Sequence, residues 1–176
     1  DLFDFWKEHT GLTIYEGFGQ TETPLTVANL THAVPKPGSM GHPSPAFHIE
    51  VQRGDGSRCD VGETGEICID VHEKAPGIML EYYRNPEKTE AAVFGGWYHT
   101  GDTAWVDEDG CFWYVGRNDD VIKSSGYRIG PFEIESVLLE HDAVRECAVT
   151  GVPDPVRGKA VKATVVLAQG FEGSEV

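Results

Sequence analysis

The sequence predicts an α+β chain: a distorted antiparallel β-barrel or sheet portion over residues 1 to 118, then a small α+β domain that begins at 119 and runs to 176. Three observations point there. Apolar and polar residues alternate in FHIEVQR (47–53) and EICIDV (66–71), the period of half-buried strands, with the turn GDGS between them. TAWVD and CFWYV flank Glu108 to Gly110 as a second hairpin. After Gly116 a polar, glycine-punctuated stretch, RNDDVIKSSGYRIG, leads into PFEIESVLLEH, an amphipathic helix (131–141) with Ile134, Val137 and Leu138 on one face.

The remaining elements follow from local chemistry. Leu2, Phe3, Phe5 and Trp6 cluster at helical spacing before Gly11, which reads as a helix closed by a C-terminal glycine. Asn85 followed by Pro86 is a cap plus a first-turn proline, and EKTEAAVF continues as a short helix up to Gly95 and Gly96. RECAVTGV and KAVKATVVL supply two strands after the third helix, giving β-helix-β-β material. The apolar side chains of the first helix and of strand 160–167 lack evident neighbours, and exposed strand edges suit pairing with another copy, a homo-oligomer.

Composition excludes several classes. In 176 residues, 14 Lys and Arg stand against 29 Asp and Glu, a formal charge of -15 that repels nucleic-acid backbones and anionic membranes. No stretch approaches the roughly 18 apolar residues of a membrane helix, and DLFDFWKEH is no signal peptide, so a cytoplasmic protein without membrane insertion is expected. Cys59, Cys68, Cys111 and Cys147 lack CxxC spacing and predict free thiols. His9, His32, His42, His48, His72, His99 and His141 form no pair at ligand spacing, which predicts no metal site through histidine.

Four segments could carry chemistry. GFGQTET (17–23) combines glycines that let backbone N–H groups approach an anion, Thr21 as a donor to phosphate and Glu22 as a ligand for Mg²⁺; the same letters also make an ordinary turn. YHTGD (98–102) ends in a carboxylate beside a glycine, suited either to a ribose diol or to a cap or Asx turn. Arg117 supplies a fixed cation with five donors ahead of Asp119 and Asp120. Lys123 and Arg128 flank Ser124-Ser125-Gly126, a short cationic patch for an anionic ligand or for neighbouring carboxylates.

The order GFGQTET, GETGEICI, YHTGD, GRNDDVIKSSGYRIGPFEIE resembles the second half of the adenylate-forming acyl-CoA synthetases, the AMP-binding enzymes. SSGYRIGPFEIE and VPDPVRGKAVKA are most similar to the medium-chain acyl-CoA synthetases. The resemblance implies that residues 1–118 are the distal part of the large AMP-binding N-terminal domain and 119–176 the hinge and an incomplete C-terminal domain. It implies an acid–thiol ligase that uses Mg-ATP to turn a carboxylic acid into acyl-AMP and then passes the acyl group to coenzyme A. Thr21, Glu22 and Lys123 are then the expected catalytic residues, with Thr21 at the α-phosphate and Glu22 on Mg²⁺. Gly19 and Gln20 line the acyl or adenylate pocket, and Asp102 and Arg117 bind the ribose. Asp119 is the hinge, while Gly126 leaves room for the pantetheine arm of coenzyme A and Arg128 serves a phosphate.

Acetate-selective relatives carry a tryptophan where this chain has Gly19, so the open space, on the order of a hundred Å³, favours a medium-chain fatty or aromatic acid. The family's phosphate loop and adenylation lysine have no counterpart string here, so the chain reads as a fragment unable to adenylate by itself. A non-catalytic nucleotide-binding or regulatory module and a carrier-protein-charging relative remain the alternatives.

Overall fold

The computed structural model describes residues 2–30, 33–72 and 76–173, except the side chain of Arg128. His32 lies outside the described residues. The chain divides into two compact units, 1–114 and 115–176, where the expected boundary falls at 118.

In the first unit, α1 (Leu2–Thr10) ends where Gly11 adopts φ +71° and its N–H donates to the Lys7 carbonyl (2.8 Å). None of its residues is buried, and Leu2 and Phe5 stay exposed as expected. Three two-residue strands, β1 (Gly17–Phe18), β2 (Val27–Ala28) and β3 (His42–Pro43), form a small antiparallel sheet.

A larger sheet contains β4 (Ile49–Gln52), β5 (Gly65–Asp70), β6 (Val93–Phe94), β7 (Trp97–Val106) and β8 (Phe112–Arg117), in the order β4-β5-β7-β6 with β8 also on β7. The unit boundary falls within β8. Of the barrel or sheet expected, the described residues form open antiparallel sheets: β4 and β6 are edges and do not pair with each other. The core gathers the inward residues Ile49, Val51, Ile67, Ile69 and Tyr98 with Val27 and Phe112.

Helix α2 (Pro86–Ala92) starts as read, with the Asn85 side chain accepting from Lys88 N–H at 3.0 Å. It stops earlier than expected. Val93 and Phe94, strand formers, turn through Gly95 (φ +61°) and Gly96 (φ +82°) to pair with Trp97 and Tyr98.

The second unit carries β9 (Ile122–Ser124), β10 (Tyr127–Ile129), α3 (Pro131–Leu139), β11 (Val144–Asp154) and β12 (Gly158–Leu167), with sheet order β10-β9-β12-β11. The segment before the helix is thus a hairpin. α3 packs on β11, with two of the three expected residues covered. Ile134, Glu135 and Leu138 are half-buried while Val137 is 66% exposed. The Glu135 carboxylate accepts the Val149 N–H at 2.7 Å and ties that side of the helix to β11. Among the described residues no helix is long and apolar enough to cross a membrane.

Candidate functional site

The GFGQTET segment leaves β1 and closes on itself. Thr23 N–H donates to the Gln20 carbonyl (3.1 Å) and Gln20 N–H donates to Thr23 Oγ1 (3.0 Å), a turn that presents exposed Thr21 at its tip. A Cβ at Gly19 would stand 2.6 Å from the Pro24 carbonyl oxygen, so closing this turn requires glycine there independently of any ligand. Glu22 is half-buried. Its carboxylate accepts from the Tyr82 hydroxyl (2.9 Å), and its carbonyl accepts from Met79 N–H (2.8 Å).

YHTGD does not end a strand: β7 runs through it with a bulge. Cys68 pairs with His99 and Glu66 with Thr103, so Ile67 alone faces the three residues Thr100, Gly101 and Asp102. Gly101 takes φ +72° to allow this, as bulges near functional sites commonly do. The Thr100 hydroxyl donates to the Ile67 carbonyl (2.8 Å) and accepts from Asp102 N–H (3.1 Å), so the bulge is internally braced.

The bulge delivers Asp102, 5% exposed, to Gln20. The Gln20 Nε2 group donates to Asp102 Oδ2 and to the Thr100 carbonyl (2.9 Å), while Oε1 accepts from the Tyr98 hydroxyl (2.7 Å). Tyr114 donates its hydroxyl to Asp102 Oδ1 at 3.0 Å. Burial, with Tyr82, Glu22 and Asp102 nearby, raises the Tyr98 phenol pKa and keeps it a protonated donor. Gln20, Glu22 and Asp102, expected from sequence, therefore share one hydrogen-bonded cluster with Tyr82, Tyr98 and Tyr114, which sequence reasoning did not select. The alternation of Tyr98, Thr100 and Asp102 could have flagged Tyr98. Tyr82, 60 residues from Glu22, gave no local signal.

The adjacent residue, His99, meets Glu66 and Cys68 instead. Burial, then the neighbouring Glu66 and Glu50 charges, push the Cys68 thiol up to about 12.

In the second unit, Arg117 Nε donates to Asp119 Oδ1 (3.2 Å), and the Asp120 and Val121 N–H groups both donate to the Arg117 carbonyl (3.1 Å each). Asp119 is exposed on this turn. Lys123 is exposed on β9, and the two-residue turn Ser125-Gly126 joins β9 to β10 with φ +49° and +86°. Gly126 is thus demanded by its backbone conformation, and a Cβ there would meet nothing within 4 Å. The backbone of Arg128 pairs with Lys123, but its side chain, the expected phosphate partner, lies outside the described residues.

Two family models match the chain: AMP-binding enzyme over residues 1–83 and AMP-binding enzyme C-terminal domain over 133–176. The chain is 51% identical, over 95% of its length, to acyl-coenzyme A synthetase ACSM3, mitochondrial, of Rattus norvegicus, and covers 29% of that protein. It is 46% identical over 95% of its length to an uncharacterized acyl-CoA ligase, YtcI, of Bacillus subtilis, covering 31% of it. The crystal structure of the anthranilate CoA ligase AuaEII in complex with anthranoyl-AMP superposes with a TM-score of 0.85 at 36% identity, covering 99% of this chain and 33% of that one. The chain spans about 30% of the length of the curated relatives it matches. With both family models matched in order along these 176 residues, the chain belongs to the AMP-binding enzymes.

Proposed function

We propose that these residues form part of an ATP-dependent acyl-CoA synthetase, an acid–thiol ligase that converts a carboxylic acid to acyl-AMP and then to acyl-CoA. The observation that carries the reading is the buried Asp102 carboxylate, held by Gln20 and Tyr114 on a bulge of β7. A carboxylate oriented before the ligand arrives can accept from both hydroxyls of a ribose without reorganising. Gln20, pinned by Tyr98 and Thr100, fixes that orientation and lines the pocket beside it.

Thr21, at the exposed tip of the same turn, donates to the α-phosphate. Glu22 suits Mg²⁺: a hard oxygen ligand, half-buried and oriented by Tyr82. Bound there, Mg²⁺ neutralises phosphate charge as carboxylate and triphosphate approach each other. Within the second unit, Arg117 offers its guanidinium to the sugar, Asp119 is the pivot, and the Lys123–Arg128 hairpin serves coenzyme A, with Lys123 as a charge for its anionic groups.

The acid is a medium-chain fatty or aromatic one. The structural neighbour bound to anthranoyl-AMP supports this; Gly19 does not, since its turn leaves no room for a Cβ whatever the acid. The free cysteines favour a thiol-reducing compartment: the cytoplasm, as the sequence suggests, or the mitochondrion named for the rat relative. Fractionation separates the two. Association of copies through exposed strand edges remains part of the proposal.

Asp102→Asn in the full-length polypeptide tests the central role. Losing a charge-assisted acceptor worth about 1.5–3 kcal/mol raises the KM for ATP about 10- to 100-fold in acid-dependent pyrophosphate release. An unchanged KM for ATP rejects the assignment.

A further inference from the structure

Beyond the nucleotide reading, a second group of side chains converges where β5 meets β7. Cys68 and His99 are direct cross-strand partners, and Glu66 precedes Cys68 across the bulge. Cys68 Sγ lies 3.5 Å from His99 Nδ1, and Glu66 Oε2 lies 3.1 Å from the same nitrogen. The three ligand atoms all fall within 4.8 Å of one another. Tetrahedral zinc, with Zn–S of about 2.3 Å and Zn–N and Zn–O of about 2.0–2.1 Å, requires S···N separations of about 3.5 Å and N···O separations of about 3.3 Å. Both observed separations agree within a few tenths of an ångström.

We propose that Glu66, Cys68 and His99 form a binding site for a zinc-like divalent cation, with water in the fourth position. The donor set selects the ion class. Thiolate and imidazole favour Zn²⁺ and its neighbours in the transition series over Mg²⁺ and Ca²⁺, which want oxygen.

The ligands are also positioned in advance. Cys68 is fully buried, while the His99 and Glu66 side chains are 15% and 23% exposed, which gives an ion a path from solvent. Phe94 stacks flat on the His99 ring, centroids 3.8 Å apart and planes within 3°, and so fixes the imidazole orientation. Glu66 Oε1 accepts the Gly101 N–H at 2.9 Å, which anchors the carboxylate while Oε2 faces His99. Binding releases the thiol proton to solvent and takes the Nδ1 lone pair, with the histidine proton on Nε2. Without metal, the same atoms satisfy one another by hydrogen bonding. The ion would cross-link β5 to β7 at the bulge that carries Gly101.

The test uses the whole protein, stripped with a chelator and titrated with Co²⁺ and then Zn²⁺. One Co²⁺ per chain should produce a near-ultraviolet thiolate-to-metal band together with the intense visible bands of tetrahedral Co²⁺, and one equivalent of Zn²⁺ should abolish both. Cys68→Ser should remove the near-ultraviolet band, and His99→Ala should weaken Zn²⁺ binding more than about 100-fold, beyond the range for losing an outer partner. Cys59→Ser, a thiol outside the cluster, should leave the spectrum unchanged. The proposal is overturned if the unmodified protein gives no thiolate band, a result that does not depend on any variant folding. It is equally overturned if the band survives Cys68→Ser or disappears in Cys59→Ser.

Discussion

Replacing Tyr98 by phenylalanine removes the bracing of Gln20, together with the hydroxyl's contact with Tyr82. The phenyl ring occupies the same space, so no cavity opens, and the change deletes only a hydroxyl on a side chain 1% exposed. That hydroxyl donates to Gln20 Oε1 at 2.7 Å. Losing a hydrogen bond costs about 0.5–1.5 kcal/mol, and the Gln20 amide oxygen left without this donor is only half-buried, so a destabilisation of about 1 kcal/mol follows. It is read as a lowered urea midpoint of the 176-residue chain at unchanged slope. The functional consequence is separate. With one end released, the Gln20 amide no longer holds Asp102 in a single orientation, and in the full-length polypeptide the KM for ATP should rise about fivefold to tenfold, a loss of about 1–1.4 kcal/mol. Tyr98 touches no proposed reacting group, so kcat should fall less than KM rises. A variant with the parent urea midpoint and the parent KM for ATP would refute the claim that this hydrogen bond organises the site.

Two further outcomes follow from other parts of the chain. Burial raises the pKa of Asp107, but hydrogen bonds from Lys36, Cys111 N–H, the Trp113 indole and Asp109 N–H outweigh it and hold the carboxyl below its ordinary range. A depressed folded-state pKa contributes stability above the unfolded value of about 3.9 that is lost as pH falls through the folded value, so the urea midpoints of the parent and Asp107→Asn should differ at neutral pH and converge below about pH 4; a constant difference would contradict this. Gly126→Ala meets no neighbour but forces alanine to φ +86°, which should cost about 1–2 kcal/mol by denaturation. If the turn also receives the pantetheine arm, the KM for coenzyme A rises as well, and an unchanged value removes that role.

What the sequence made legible was local. Alternation in EICIDV and the Asn85-Pro86 cap depend on neighbours within a few residues, and both elements stand where the pattern puts them. The β9–β10 hairpin was not readable this way. Its strands are three residues each with Lys123 and Arg128 at their centres, and half of its turn is Ser125 at φ +49°, a conformation serine seldom takes. Gly126 alone carried the turn signal. The site residues Gln20, Glu22 and Asp102 were identifiable only through the order of motifs, since each is an unremarkable residue in an ordinary-looking turn. What joins them, the phenols of Tyr82, Tyr98 and Tyr114, is a matter of tertiary contact.

The bulge explains why the Glu66–Cys68–His99 grouping escaped as well. Spacing rules for metal sites look for ligands one helical turn apart or in paired knuckles, whereas here two ligands face each other across a ladder and are 31 residues apart in sequence. A regular ladder continuing from Cys68 and His99 would set Glu66 opposite Gly101. The two extra residues move it opposite Thr103, and its carboxylate then spans back to the Gly101 N–H on one oxygen and to His99 on the other. Thr100-Gly101-Asp102 therefore does two things with one irregularity. It brings a buried carboxylate to Gln20, and through the Gly101 N–H it fixes the carboxylate that faces His99, so a perturbation of Gly101 should be felt in both clusters.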